Sequence, residues 1–87
     1  MDPAVRRFIS AYFSEELIND RTEMRTSLQN SSTEHQEKIK NGLAELISTH
    51  SLSPREFWEL TFADIPDEDA LYKEIEDAYE FLFGMRA

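Results

Sequence analysis

The sequence predicts an all-α fold, a single domain over residues 1–87 built as a bundle of four or five short helices. Three observations predict it. Apolar residues recur at three- and four-residue spacing along most of the chain, the period of one buried helix face. Glycine and proline are scarce, two and three residues, too few for the turns of an all-β barrel. The breaks between periodic stretches carry residues that cap helices. A chain of 87 residues buries only about 60% of its unfolded surface, so the core is thin. Six Phe, three Tyr and Trp58 supply much of what is buried.

The first helix is expected over residues 3–13. Asp2 caps it, and Pro3 stands at its first position, where a missing N–H costs nothing. Val5, Phe8, Ile9, Tyr12 and Phe13 line its inner face, with Arg6 and Arg7 mostly outside that stripe. Leu17, Ile18, Met24 and Leu28 line a second helix that starts near Glu15 or after Asp20. The run Gln29-Asn30-Ser31-Ser32 breaks it. Ser31 with Glu34 fits a capping box, and the next helix runs to about Thr49 with Ile39, Leu43, Leu46 and Ile47 inward. Gly42 in its middle costs about 1 kcal/mol relative to Ala. Ser53-Pro54-Arg55-Glu56 is the strongest start signal in the chain, with a cap, a first-position Pro and a third-position Glu. Phe57, Trp58, Leu60 and Phe62 make a short apolar helix behind it. After Pro66 and Asp67, a last helix carries Leu71, Tyr72, Ile75, Ala78, Tyr79, Leu82 and Phe83, and Gly84 stops it. The expected core includes Phe8, Tyr12, Leu43, Leu46, Phe57, Leu71, Ile75 and Leu82.

Composition excludes several function classes. Without cysteine there is no disulfide, thiol nucleophile or cysteine-ligated zinc, and a reducing compartment is compatible. Apolar runs of a few residues do not span a membrane, and Met1-Asp2-Pro3 opens no signal-peptide core. His35 and His50 stand fifteen residues apart, and neither follows a Glu at the spacing of a helical di-iron site. Asp64, Asp67 and Asp69 do not build a calcium loop. From Asp64, Pro66 falls on a ligand position, Asp69 on the glycine position and Ile75 on the bidentate glutamate. No Gly-rich phosphate loop or nucleophile elbow is present. The expectation is a non-enzyme with no cofactor and no metal.

Charge is the informative quantity. Eighteen acids against nine bases leave −9, which disfavours direct nucleic-acid binding and favours a basic partner. Residues 56–80 hold ten acids and one base, Lys73, so this segment carries the whole excess. A charged helix face is ordinarily a solvated face. A one-sided field of this density is self-repelling, which suggests a complementary basic surface instead. Asp64, Asp67, Glu68, Asp69, Glu76, Asp77 and Glu80 are the candidate contacts. With Leu71, Ile75, Ala78 and Leu82 inward, Asp69, Lys73, Glu76 and Glu80 line the outer face. The cluster Phe57-Trp58-Phe62 has two readings, a core that packs the short helix against the first and last helices or an interface with Trp58 as its anchor, and the core reading comes first in so small a domain.

Phe8-Ile9-Ser10-Ala11-Tyr12-Phe13 with Glu15-Glu16, then Ser53-Pro54-Arg55-Glu56-Phe57-Trp58, then Tyr79-Glu80-Phe81-Leu82-Phe83-Gly84 resemble the small helical immunity proteins of contact-dependent growth inhibition systems. The resemblance spans nearly the whole chain. It implies a cytoplasmic, non-enzymatic inhibitor that binds the C-terminal toxin domain of a large delivered exoprotein, often a nuclease. It assigns no contact residue; the acids above rest on charge alone. A nucleic-acid-binding toxin is expected to be basic, so an acidic inhibitor steers to it and covers it. The alternative is an acidic nucleic-acid mimic, such as a phage-encoded inhibitor of another nucleic-acid-binding protein.

Overall fold

Five helices form among the described residues, 2–13 and 21–85 of the computed structural model. They are α1 (Pro3–Tyr12), α2 (Arg21–Gln29), α3 (Thr33–Thr49), α4 (Pro54–Thr61) and α5 (Glu68–Phe83), with no strand among those residues. The fold is all-α, as the periodicity predicts. The expectations for Glu15, Glu16, Leu17 and Ile18 lie outside the described residues.

Helix starts follow their caps. The Asp2 carboxylate accepts from the Ala4 N–H at 2.8 Å, and the Asp67 carboxylate accepts from Ala70 N–H at 2.8 Å. Ser53 Oγ accepts from Glu56 N–H at 3.1 Å and also donates to the Glu56 carboxylate at 3.1 Å. The cap of α3 is Ser32, not Ser31: Ser32 Oγ accepts from His35 N–H at 3.2 Å. Ser31 is occupied elsewhere, its hydroxyl donating to Ser27 O and its carbonyl accepting from Gln36 Nε2.

Packing runs in a chain. α3 sits between α1 and α5; α1 also holds α4, and α5 also holds α2. Val5, Ile9, Ile39, Leu43, Phe57, Leu71, Ile75 and Ala78 are fully enclosed, and Phe13 meets Phe57 edge-on at 6.1 Å. Gly42 has a packing reason. A Cβ built there lies 2.2 Å from Val5 Cγ2, so the missing side chain lets α1 approach the α3 backbone. Ser10 Oγ donates to Leu60 O across the α1–α4 seam. Buried Thr61 donates its hydroxyl to Phe57 O at 2.7 Å and accepts from Ala63 N–H at 3.1 Å, so its polarity is satisfied. The Tyr72 hydroxyl donates to Leu52 O at 2.7 Å and accepts from Leu52 N–H at 2.9 Å, pinning the α3–α4 connection to α5.

Some expected inward residues differ. Tyr12, Ile47 and Leu82 are half-buried at the core margin. Tyr12 turns its hydroxyl to Ser27 Oγ, and a polar tip is best met at such a margin. Phe62 is 66% exposed. At 100° per residue, position 62 falls about 140° from Phe57 and about 40° from Trp58, so Phe62 shares the outer side with Trp58, and its left-handed conformation (φ 57°, ψ 14°) closes the helix there.

Candidate interaction surface

α4, the residue 62–67 connection and α5 together carry the acidic segment. On α5, Leu71, Tyr72, Ile75, Ala78 and Tyr79 face the core, so Asp69, Lys73, Glu76 and Glu80 fall on the opposite side and are exposed. Asp77 is half-buried on the flank. Asp64 is exposed in the connection before α5. The outer face of α5 is therefore assembled as the spacing predicts.

The ten acids of residues 56–80 do not all have the same surroundings. Glu74 is held by Arg21 at 2.5 Å, from the start of α2. Glu59 meets Arg55 at 3.4 Å on one face of α4, and Glu56 meets the Ser53 hydroxyl. Asp67 is spent on capping α5. Glu68 lies 3.5 Å from His50 Nδ1. Thus Asp67, Glu68 and Glu80, among the nominated contacts, have partners of their own. Asp64, Asp69, Glu76 and Asp77 have no ion pair among the described residues, and none includes Lys73.

The helix dipole separates these groups further. Asp67, Glu68 and Asp69 stand at the N-terminus of α5, where negative charge is favoured. Glu76 and Asp77 lie mid-helix, away from either end, and Glu80 lies in the last turn, where α5 itself carries no base while Arg25 and Lys40 reach over Phe81 and Phe83 from neighbouring helices.

Trp58 is 49% exposed, which overturns the core reading. Phe57 and Thr61 take the inward positions of α4, and Trp58 lies about 100° around the helix from Phe57. It packs edge-on against Phe62, with ring centres 5.7 Å apart at 83°. Of the cluster Phe57-Trp58-Phe62, the core reading therefore holds for Phe57 alone, Phe62 being exposed beside Trp58. The signal that identifies it is conformational, the positive φ at a non-glycine residue.

His50, which the sequence places at a helix end, caps α3 in the left-handed region and stacks flat on Tyr72 at 3.8 Å. Burial, with added repulsion from Glu68 and Glu56, pushes the Tyr72 hydroxyl above its ordinary pKa, although its bond to Leu52 acts the other way. His35 lines a cleft of about 210 Å³ with Arg7, Phe8, Tyr12 and Ser31, on the opposite, charge-balanced part of the chain. That volume is below the range of roughly 300–1,000 Å³ usual for small-molecule sites. Among the described residues, no group of three or more His, Asp or Glu side chains is placed to hold a metal, and no helix is long and apolar enough to cross a membrane. Compared with known protein families, curated proteins and solved structures, the chain matches none.

Proposed function

We propose that this chain is a cytoplasmic immunity protein that binds and neutralises a basic toxin domain, a nuclease, through its acidic surface. One observation carries the reading. Asp64, Asp69, Glu76 and Asp77 add to a strongly one-signed surface yet have no ion pair among the described residues. Negative charge kept at such a cost in self-repulsion is accounted for by an external partner. A surface that binds phosphate backbones is built from Arg and Lys, and Arg takes carboxylates in paired hydrogen bonds as it takes phosphates. The acids attract that surface from a distance and then occupy it.

The probe is a basic nuclease toxin domain; a toxin gene beside the gene of this chain would supply it, and the lack of one counts against the proposal. Wild-type protein is expected to restore growth to cells expressing that domain and to form a stable complex with it. Asp64→Lys, Asp69→Lys and Glu76→Lys are the charge reversals of choice. They leave the Asp67 cap and the Glu74–Arg21 pair intact. The triple variant is expected to associate at least tenfold more slowly at low salt, with a flatter salt dependence. No complex, no restored growth, or wild-type kinetics in the triple variant would each defeat the proposal. Capture of a different nucleic-acid-binding protein in place of the toxin would favour the mimic.

A further inference from the structure

Phe62 is difficult to explain by folding. It closes α4 with its N–H bonded to Trp58 O at 2.7 Å, in a left-handed conformation that ordinarily selects glycine. α5 ends in the same way with Gly84 in that role. A side chain in this conformation brings Cβ strain that glycine avoids. It is normally tolerated where the side chain gains burial. Phe62 gains little, being 66% exposed. Its main recorded ring contact is Trp58, itself half exposed. Two large aromatic rings thus brace each other on the outside of the molecule. A residue in a disfavoured backbone state with no return in the core points to function.

We propose that Trp58 and Phe62 form the central anchor of the partner interface, inserting as one edge-on pair into an apolar socket rimmed by basic side chains on the toxin domain. The inference rests on the immunity reading above and deepens it. Charge selects the occupant. Glu56 and Glu59 share the exposed side of α4 with Trp58, and Asp64 follows Phe62 by two residues. On α4 itself the one base, Arg55, is already turned to Glu59, while Arg6 and Arg7 of α1 flank Leu60 about 200° around the helix from Trp58. The rim is therefore acidic, and the complementary socket carries Arg or Lys around an apolar floor. Such a socket distinguishes a folded basic protein from bare nucleic acid, which repels this rim, and from a second copy, whose rim has the same sign. Aromatic anchors enclosed by a polar ring are the usual seat of binding energy. They act on contact, so they govern how long a complex lasts rather than how fast it forms.

The test compares Trp58→Ala, Phe62→Gly and the double variant with wild type, using the same toxin-domain probe. Phe62→Gly is the informative change because glycine suits the left-handed backbone, so the fold is retained. Thermal melting checks this directly. The expected result is dissociation at least thirtyfold faster in each single variant, with association changed by less than threefold. Wild-type dissociation in the folded double variant overturns the anchor while leaving the charge-steered interface in place. Sedimentation adds a second arm. A wild-type dimer that the double variant dissolves overturns the proposal, because the pair then serves self-association. Failure of wild-type protein to bind the toxin domain removes both this inference and the function on which it rests.

Discussion

Gly42→Ala tests whether the α1–α3 contact is as close as the structure makes it. In an isolated helix the change stabilises by about 1 kcal/mol, because Ala has the better propensity. Here the new Cβ falls 2.2 Å from Val5 Cγ2 and 3.2 Å from both Val5 Cβ and Cγ1. Carbon atoms prefer about 3.5–4.0 Å, so the nearest methyl must retreat by more than 1 Å. It has no easy route. Val5 is fully enclosed, and a β-branched residue in a helix is held near one χ1 rotamer. The strain must move α1 as a unit, against its contact with α4. Overpacking of this kind costs about 1–3 kcal/mol. With the severe contact toward the upper end, the net loss is about 1–2 kcal/mol, or roughly 4–16 °C in a domain of this size.

The same geometry specifies a rescue. Val5→Ala alone removes two buried carbons and costs about 2 kcal/mol. It also removes both Cγ atoms from the path of the new methyl. In the Val5→Ala background, Gly42→Ala is then neutral or stabilising, since propensity remains and the methyl fills part of the void. A double-mutant cycle by urea denaturation, with equal m-values across the four proteins, measures the coupling, expected at about 2 kcal/mol. A higher midpoint for Gly42→Ala in the wild-type background refutes the argument, because an open helix glycine behaves that way.

Three further outcomes follow from the same coordinates. Ile75→Ala, at a fully enclosed position on α5, is expected to lower stability by about 2–5 kcal/mol, and an unchanged urea midpoint means α5 buries another face. Asp67→Ala removes the α5 cap and costs about 1 kcal/mol, whereas Asp69→Ala stays within about 0.5 kcal/mol of wild type; equal effects in thermal melts contradict the assigned roles. Tyr72→Phe leaves the Leu52 N–H and carbonyl without their partner and costs about 1–3 kcal/mol at neutral pH. The Tyr72 hydroxyl is raised in the folded state, chiefly by burial, so its contribution is complete below the unfolded value of 10.0 and declines as pH rises through the folded value. Denaturation between pH 9 and 11 is expected to show a shallower decline for Tyr72→Phe; parallel curves mean the hydroxyl is not held neutral.

The helix frame is legible in the sequence because each start is marked by a local, side-chain event. Asp2, Ser53 and Asp67 cap from the chain's own neighbourhood, and those helices begin where expected. Ser31 and Ser32 are equivalent by that criterion. What separates them is the end of the preceding helix, which takes the Ser31 hydroxyl through Ser27 O. Gly42 looks like a defect until a second helix is laid on it; its reason is Val5, thirty-seven residues away. Phe62 fails for a different cause. Its aromatic character groups it with buried Phe57, whereas i, i+4 spacing pairs it with exposed Trp58. On the candidate surface, the excess of acid is plain from composition. The difference between Asp67, consumed by a backbone N–H, and Asp69, left to solvent, requires the fold.

That difference changes how the surface is to be probed. Reversing Asp67, Glu68 and Asp69 together weakens the α5 cap and places Lys beside His50, so lost binding is confounded with lost stability. Asp64, Asp69 and Glu76 avoid the confusion. Charges and aromatics are then separable by range. A carboxylate acts on an approaching partner over about one Debye length, roughly 8 Å at physiological ionic strength, and salt erases the effect. Trp58 and Phe62 act only when their rings are enclosed, and that term is little screened by salt. Raising salt should therefore bring the association rate of wild-type protein toward that of the charge variants. The excess dissociation rate of the aromatic variants should persist. An effect of Phe62→Gly that vanishes with salt would mean that the ring merely positions a neighbouring carboxylate, and the strained turn at residue 62 would then serve Asp64 rather than a socket.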